Sequence, residues 1–357
     1  MEISSKLFEA YLKCPTKCWL RANNEQFAGN SYAQWAISQS DTYCETNLKQ
    51  LEAKSPRGEL VVSPPTTNIL AATWNYAKRI TAQFASNNIG LRSEIHALER
   101  QPTRTNGESS GIVLIRFVFT NRLSKAERTL LGFDAFVLSK SLGKQIKIGK
   151  IIHGDHGNTT RLDLAAVLGG TQNYIDRISA LLSSSSPPEL VLNRHCTECE
   201  FQYRCRSKAT EIDELSLLSG MSEKERARHR SKGIFTVTQL SYTFRPRRTP
   251  KRAKNPAKPH HFSLQALAIR EKCVYIHGTP VIPSSAHQVY LDIEGLPDRD
   301  FFTSLVHWWC PITTNPFTHS GPIQSWTLRQ FFFSLPISST SFQTVKYSIM
   351  ATMTQRL

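Results

Sequence analysis

The stretch from residue 193 to residue 206 decides the fold, and it reads Asn-Arg-His-Cys-Thr-Glu-Cys-Glu-Phe-Gln-Tyr-Arg-Cys-Arg. Cys196 and Cys199 are separated by two residues, and Cys205 follows after five more. Two thiolates at this spacing can hold one metal centre from a tight turn, and the third can return from the start of a helix. The spacing therefore predicts a metal site whose fourth ligand comes from another part of the chain.

The fourth ligand has two candidates near the N-terminus, of which Cys14 is the better and Cys18 the second. The chain has eight cysteines and no secretion signal that we recognise, which favours metal binding or redox chemistry over a disulfide framework. Spacing does not separate an iron–sulfur cluster from a structural zinc site that uses His195 or Cys18. Three buried cysteines without any ligand role are a further alternative.

Composition and charge limit the class of protein. The chain has 357 residues, of which 40% are hydrophobic and 20% are charged, as in folded globular proteins. No stretch approaches the roughly 18 apolar residues of a membrane helix, so we expect a cytoplasmic protein. The net charge of +16 favours a polyanionic partner. Nucleic acid is favoured over an anionic membrane surface because no amphipathic anchor stands out.

Hydrophobic periodicity predicts a mixed α/β fold. The expected elements are a helix over 3–22 interrupted at Pro15, a helical or mixed segment over 68–87, strands over 111–119 and 144–153, and helices over 125–142 and 161–184. Gly143 is a normal C-terminal stop for the helix before it. A largely helical stretch over 211–244 is expected after the cysteine-rich segment.

The arrangement of the four cysteines resembles that of one nuclease family. Cys14 stands within Tyr-Leu-Lys-Cys-Pro-Thr-Lys-Cys-Trp-Leu, and Cys196, Cys199 and Cys205 follow far along the chain. This pattern resembles the RecB-like nucleases, in which one N-terminal and three C-terminal cysteines hold a [4Fe–4S] cluster that clamps a PD-(D/E)xK-type core. A RecB-like family fused to a C-terminal ribonuclease-H-like exonuclease domain is similar over about residues 1–300. The resemblance implies an α/β RecB-type core with an iron–sulfur clamp on these four cysteines.

The same resemblance implies a cutting site, and this sequence departs from it. The family carries an Asp, then Glu-x-Lys on the next strand, then Gln-x-x-x-Tyr on a helix, and its carboxylates hold Mg²⁺ or Mn²⁺. Here His96 stands where Asp is expected, and the following strand offers Arg116 without Glu-x-Lys. Leu130 and Asp134 replace Gln and Tyr. We therefore expect cleavage to be lost or much reduced. The alternative is an unorthodox metal site made of Glu94, His96, Glu99 and Asp134.

The segment 221–261 carries most of the excess charge, with 12 Lys and Arg against two Glu, a net charge of +10. Residues 217–221 and 232–240 are similar to helix-hairpin-helix modules, whose backbone amides contact phosphates. A plain helical part followed by a solvated linker is the alternative. The candidate nucleic-acid-binding residues are Lys224, Arg226, Arg228, Arg230 and Lys232 in the helical part, and Arg247, Arg248, Lys251, Arg252 and Lys254 in the loop.

A second nuclease motif begins near residue 288. Asp292 and Glu294 stand two residues apart in Val-Tyr-Leu-Asp-Ile-Glu-Gly, so a strand would point both to one face. The stretch resembles the first motif of DEDD exonucleases on a ribonuclease-H-like fold, which implies two-metal hydrolysis. Two further acidic residues are needed, but no Asp or Glu occurs in the 57 residues after Asp300. When residues 349–354 are back-translated and the codons are read one base earlier, they encode [His/Tyr/Asn]-Gly-X-X-Asp. This motif is similar to a stretch that the resembling family carries at about this place. We therefore hypothesise a frameshift just after Asp300 and an aberrant, unfolded tail.

These observations predict five segments and leave three hypotheses of function. The segments are a RecB-like domain with the cysteine cluster (1–210), a helix-hairpin-helix-like segment (211–245), a basic linker with a connecting helix or strand (246–285), the start of a ribonuclease-H-like domain (286–300) and the tail (301–357). The first hypothesis is a RecB-family fragment that binds nucleic acid, DNA rather than RNA, with impaired cleavage. The second is an active Mg- or Mn-dependent DNA exonuclease. The third is a zinc-stabilised nucleic-acid-binding scaffold without catalysis. The sequence identifies no protein partner.

Overall fold

A computed structural model describes most of the chain. The described residues are 1–27, 29–55, 59–70, 74–86, 89–101, 111–245, 261–275, 287–296 and 301–311, the last two as backbone. The chain divides into two units, one made of Met1–Phe119 with Leu123–Ile276 and the other of Thr120–Arg122 with His277–Leu357. Within the described residues, no helix is long and apolar enough to cross a membrane.

The first unit begins with a short strand and three helices, which are β1 (Glu2–Ser4), α1 (Ser5–Lys13), α2 (Pro15–Ala22) and α3 (Ser31–Lys54). The Ser4 hydroxyl caps α1 by accepting a hydrogen bond from the Leu7 N–H at 3.2 Å. Pro15 begins α2, where an N–H would have no partner within the helix. The predicted N-terminal helix with an interruption at Pro15 is therefore confirmed. Cys14 lies between the two helices with an extended backbone.

Seven strands form one mixed sheet. Besides β1 they are β2 (Leu60–Val62), β3 (Tyr76–Ser86), β4 (Ile89–Arg100), β5 (Ile112–Val118), β6 (Ile148–His153) and β7 (Asn158–Asp163). The spatial order is β2-β3-β4-β5-β6-β7, and β1 pairs with β4. The pairs β1–β4, β2–β3 and β5–β6 are parallel, and the others are antiparallel. The chain is therefore α/β, as the periodicity predicts.

Strand β3 decides between the two predictions for the segment 68–87, which are a helical and a mixed segment. The segment is mixed, because the end of the four-residue helix α4 (Thr66–Ile69) reaches into it and Tyr76–Ser86 is a strand. Ile80 and Ala82 are buried and alternate with exposed neighbours, which is the period of a strand. Arg79 has a positive φ of 55° and interrupts this alternation. The interruption explains why the sequence pattern did not read as a strand.

Two long helices follow β5 and β6–β7, namely α5 (Lys125–Leu142) and α6 (Ala165–Ser183). Ser124 and Glu127 form a capping box at the start of α5, and Gly143 ends it with a φ of 64°. The predicted helix is confirmed at both ends. Helix α6 starts later than predicted because residues 158–163 form β7 instead.

The core of the first unit lies on both faces of the sheet. On one face, α1, α5 and α6 pack together, and Phe8 stacks on Phe133 with ring centroids 4.3 Å apart. On the other face, Leu48 of α3 packs against Ile115 and Phe117 of β5. Because both faces of β5 are covered, this strand is a continuous apolar run rather than an alternating one.

The remainder of the first unit is helical. It contains 3₁₀ turns at Arg194–Glu198 and Leu215–Leu217, and the helices α7 (Gln202–Glu211), α8 (Glu223–Arg230), α9 (Val237–Ser241) and α10 (Phe262–Glu271). Its small core is separate from that of the sheet and consists of Leu215, Leu218, Val237, Leu240 and Ala266. The expectation of a largely helical stretch after the cysteines is confirmed. We call α8, α9 and α10 the helical module.

The second unit contains a strand pair, β8 (His287–Leu296) and β9 (Phe301–Pro311), which is antiparallel. The register shifts between Glu294 and Gly295. Strand β9 covers eleven residues of the tail that was expected to be unfolded. Its aromatic and β-branched composition fits a strand. The rest of the tail, residues 312–357, lies outside the described part, and the prediction for it stays a prediction.

Candidate metal centre and nucleic-acid interface

Four cysteines from distant parts of the chain line one small cavity. Cys14 reaches it from the break between α1 and α2, and Cys196 and Cys199 from the 3₁₀ turn that precedes α7. Cys205 reaches it from α7. The structure thus brings together the N-terminal thiol and the three C-terminal thiols of the predicted site. Cys18 lies instead in the core between the helices and the sheet and does not line the cavity.

Asn193 joins the cysteine turn to the N-terminal helices. Its side-chain oxygen accepts from the His195 N–H at 2.8 Å and caps the turn. Its backbone N–H donates to the Cys196 sulfur at 3.3 Å. Its side-chain amide donates to the carbonyl of Lys13 at 3.2 Å, one residue before Cys14. The sequence reasoning missed this residue, although an Asn just before a predicted turn is a capping signal.

Asn30 makes a second connection of the same kind. Its side-chain amide donates to the carbonyls of Thr197 and Cys199 at 3.0 and 3.2 Å. Its side-chain oxygen accepts from the backbone N–H groups of Tyr32 and Ala33 and so caps α3. One side chain therefore fixes the start of a helix and the position of the cysteine turn. Sequence reasoning missed Asn30 as well, because its partners are remote in sequence.

A buried cation also lines the cavity. Lys17 is 8% exposed, and its ammonium lies 2.9 Å from a carboxylate oxygen of Glu200, the residue after Cys199. Arg21 contacts the other oxygen of Glu200 at 2.5 Å. These ion pairs attach α2 to the cysteine turn. The positive charge of Lys17 beside the thiols would offset the negative charge that thiolate ligands bring.

Burial determines the acidity of the thiols. It raises the pKa of Cys205 to about 12, with the neighbouring thiols adding to the effect. It also raises the pKa of Cys196 and Cys199, while a backbone hydrogen bond and Lys17 act in the opposite direction. Without a metal these thiols are therefore neutral at physiological pH. Metal binding would release their protons, so affinity for a metal should rise with pH.

The donor set suits a thiolate-bound group. Four cysteine sulfurs are the ligands of [4Fe–4S] clusters and of many structural zinc sites. His195 lines the same cavity, and burial lowers its pKa, which favours the neutral imidazole that a metal requires. A zinc site with His195 therefore stays open as an alternative, whereas one with Cys18 is disfavoured by position. Among the described residues, no group of three His, Cys, Asp or Glu side chains already has the geometry of a metal site.

The position of the expected cutting site is occupied by an ion pair. Asp134 of α5 is 1% exposed and accepts from the hydroxyls of Ser5 at 3.0 Å and Ser93 at 2.7 Å. Its other oxygen pairs with Arg116 of β5. Burial raises the pKa of Asp134, while Arg116 and the two hydroxyls favour its charged form. Both carboxylate oxygens are thus engaged by protein donors.

His96 and Glu99, two other members of the unorthodox metal site, are engaged by other groups of the protein. His96 accepts from the Phe117 N–H at 3.0 Å through Nδ1, and burial with Arg116 nearby lowers its pKa to about 3. Glu99 pairs with Lys150, and Glu94 is exposed. Among the described residues, no three of these four side chains form a group that could hold a metal ion.

The basic residues of α8 and of the turn after it divide into two groups. Arg226 is 8% exposed and pairs with Glu189 at 2.8 Å and Glu214 at 3.1 Å. Arg230 contacts the same two carboxylates. These two arginines hold α8 against the preceding segment, which corrects the expectation that they lie on the binding surface. Their carboxylate partners could not be inferred from sequence spacing.

Lys224, Arg228 and Lys232 form the second group, which we call the basic row. They are four residues apart, and all three are exposed. Within the described part of the chain none of them has an ion pair. Lys224 and Arg228 therefore lie on one side of α8, and Lys232 lies in the turn that follows the helix. Gly220 and Gly233, on either side of α8, have a φ of 77°, as expected for turns.

Two sets of predicted site residues lie beyond what the structure describes. Arg247, Arg248, Lys251, Arg252 and Lys254 are outside the described residues. Asp292 and Glu294 lie on β8, two residues apart, but their side chains are outside the described part.

Comparison with known proteins adds little. No family model matches the chain. No curated protein matches it significantly. A search of solved structures matches a chain titled "Crystal structure of SSO0001" at 13% identity and a TM-score of 0.31, over 58% of this chain and 87% of that one. At this TM-score the likeness supports no statement about fold or function.

Proposed function

We propose that this chain is a RecB-type nuclease relative that binds nucleic acid and whose phosphodiester cleavage is lost or much reduced. The observation that carries the binding role is the basic row of Lys224, Arg228 and Lys232. These residues are exposed and have no ion pairs within the described residues, in a segment with a net charge of +10. Cations that are not neutralised by the protein can neutralise phosphates and release counterions. DNA is the expected partner ahead of RNA.

The test is the salt dependence of DNA binding. The full chain should bind a labelled DNA oligonucleotide with an affinity that falls steeply as salt is added. Alanine substitution of the basic row should weaken binding and reduce the slope of log K against log[salt] by about 0.7–0.9 for each phosphate that the protein no longer neutralises. A matched control removes three exposed cations from α3 and α5, namely Lys49→Ala, Lys54→Ala and Arg128→Ala. Equal losses in both triple variants, or binding that salt does not change, would contradict the proposal.

The loss of cleavage is supported by the hydrogen bonds of Asp134. Its two oxygens are taken by Ser5, Ser93 and Arg116, so a divalent ion would have to displace a buried guanidinium. We expect no Mg²⁺- or Mn²⁺-dependent degradation of single-stranded DNA. The second candidate, an active exonuclease, would be established by degradation that a folded Asp134→Asn variant lacks.

The cofactor that we propose is a [4Fe–4S] cluster held by Cys14, Cys196, Cys199 and Cys205. When bound, it would supply a covalent link between the N-terminal helices and the cysteine turn. Anaerobic purification should give a brown protein with a visible absorption band and iron in the metal analysis. Colourless protein that contains zinc would favour the scaffold alternative, with zinc on the same cavity.

The second unit is proposed to begin a ribonuclease-H-like domain that is incomplete in this chain. The support is the placement of Asp292 and Glu294 two residues apart on β8, which is how the motif requires them. The coding sequence tests the frameshift hypothesis directly. If the shifted frame after codon 300 does not continue a ribonuclease-H-like domain, that hypothesis fails.

A further inference from the structure

Two aromatic rings flank α9 on the surface of the helical module. Phe235, just before the helix, is 52% exposed, and Tyr242, just after it, is 72% exposed. The other side of this helix is buried through Val237 and Leu240. Helix α9 has five residues and is about 7.5 Å long at 1.5 Å per residue. Two large rings therefore remain in contact with solvent, one at each end of a short, well-anchored helix.

A hydrogen bond holds the backbone of Phe235, and a cation contacts the ring of Tyr242. The side-chain oxygen of Gln239 accepts from the Phe235 N–H at 2.7 Å and so ties that residue to the helix. The Arg270 guanidinium lies 4.4 Å from the centre of the Tyr242 ring, within the range of a cation–π contact. Arg270 also donates to the Ser241 hydroxyl at 2.9 Å. The guanidinium covers one side of the Tyr242 ring, while the ring as a whole stays mostly exposed.

Each ring has a cation close to it in the sequence. Lys232 precedes Phe235 by three residues, and Arg245 follows Tyr242 by three. Both cations are exposed. Lys232 is also the last member of the basic row. Along the chain the order is therefore cation, ring, ring, cation, so this segment offers charge to the phosphates and aromatic rings to the unpaired bases of a strand.

We infer that Phe235 and Tyr242 form a stacking platform for the bases of single-stranded nucleic acid. The inference rests on the proposed binding function and names its substrate class. Bases in a duplex are stacked on one another and leave no free face for a protein ring, whereas bases in a single strand do. The cations would contact the backbone, and the rings would contact the bases. The chain should therefore prefer a single strand to a duplex of the same sequence.

The experiment compares two DNA probes with the full chain. One is a fluorescent single-stranded oligothymidylate, and the other is the same strand annealed to its complement. Phe235→Leu and Tyr242→Leu remove the rings but keep apolar side chains. Each should weaken binding of the single strand about 5- to 150-fold, the range for removal of one base–aromatic stack. Duplex binding should stay unchanged. Phe235→Tyr and Tyr242→Phe keep a ring and should bind the single strand like the original protein.

Controls separate this inference from the proposed function. Tyr203→Leu removes a 74%-exposed ring from α7, outside the platform, and should leave both affinities unchanged. Thermal unfolding of each variant checks that the fold is intact. If the basic-row variant loses binding but the Leu variants bind the single strand normally, or lose both probes equally, the platform is wrong and nucleic-acid binding stands. If the unaltered chain binds neither probe at low salt, both proposals fall.

Discussion

The buried ion pair between Arg116 and Asp134 allows a quantitative test of how strongly the protein itself engages the Asp134 carboxylate. The side chains are 12% and 2% exposed, so water screens the pair weakly. Asp134→Asn keeps an oxygen that can accept from Ser5 and Ser93 but leaves Arg116 buried without a counter-charge. Removing one partner of a buried pair costs about 3–5 kcal/mol. Domains are stable by about 5–15 kcal/mol, so this loss would be a large share of the total.

A double-mutant cycle isolates the interaction from other effects. The variants are Asp134→Asn, Arg116→Met and the two combined, and urea unfolding followed by circular dichroism measures the free energy of unfolding. The combined variant should cost about 2 kcal/mol less than the sum of the single variants, because no buried charge is left unpaired. The control is Glu45→Gln, which breaks the exposed pair with Arg79 and should cost at most about 1 kcal/mol. Single variants as mild as this control, or additive costs, would refute the reasoning.

Three further predictions concern other parts of the chain. The pKa of His96 is about 3, below the usual value of about 6.5, so the folded state favours the neutral ring. The free energy of unfolding should therefore fall by about 1.4 kcal/mol per pH unit as the pH drops below about 6.5. His96→Asn should remove that share of the pH dependence, and urea unfolding at two pH values would show it. Cys14→Ser should lower the amount of metal bound per chain. Cys18→Ser should lower the stability of the fold and leave the metal content unchanged. Equal loss of metal in both variants would contradict the proposed ligands. Arg226→Met should lower the free energy of unfolding by about 3–5 kcal/mol, and Arg228→Met should lower it by less than about 0.5 kcal/mol. Thermal or urea unfolding measures both values. Similar losses in the two variants would contradict the statement that Arg226 is buried and paired while Arg228 is exposed.

Local signals in the sequence predicted the elements that depend on local chemistry. Helix α5 is bounded by a capping box at Ser124 and by Gly143, and both ends were readable. The break at Pro15 was readable for the same reason. Strand β3 was not, because the left-handed backbone at Arg79 shifts its alternation of buried residues by one position. A period that changes within a strand cannot be recognised by a template with a fixed period.

Remote partners account for the rest of what the sequence could not show. Arg226 and Arg230 looked like members of a basic surface because their counter-charges, Glu189 and Glu214, lie outside the helix. Asn193 likewise joins the cysteine turn to the N-terminal helices only through its hydrogen bond to the carbonyl of Lys13, which is near the other end of the domain in sequence. Such contacts depend on tertiary structure and leave no periodic trace in the sequence.

The cavity bordered by both ends of the α/β domain has a consequence for biosynthesis. Three of its four thiols are translated only after the whole seven-stranded sheet, so the four thiols can meet only once the ribosome has released the segment around Cys205. Domains generally fold as units during synthesis. Any inorganic centre on these thiols would assemble only after the sheet has been translated, and a nascent chain that stops short of that segment would hold Cys14 without the other three thiols.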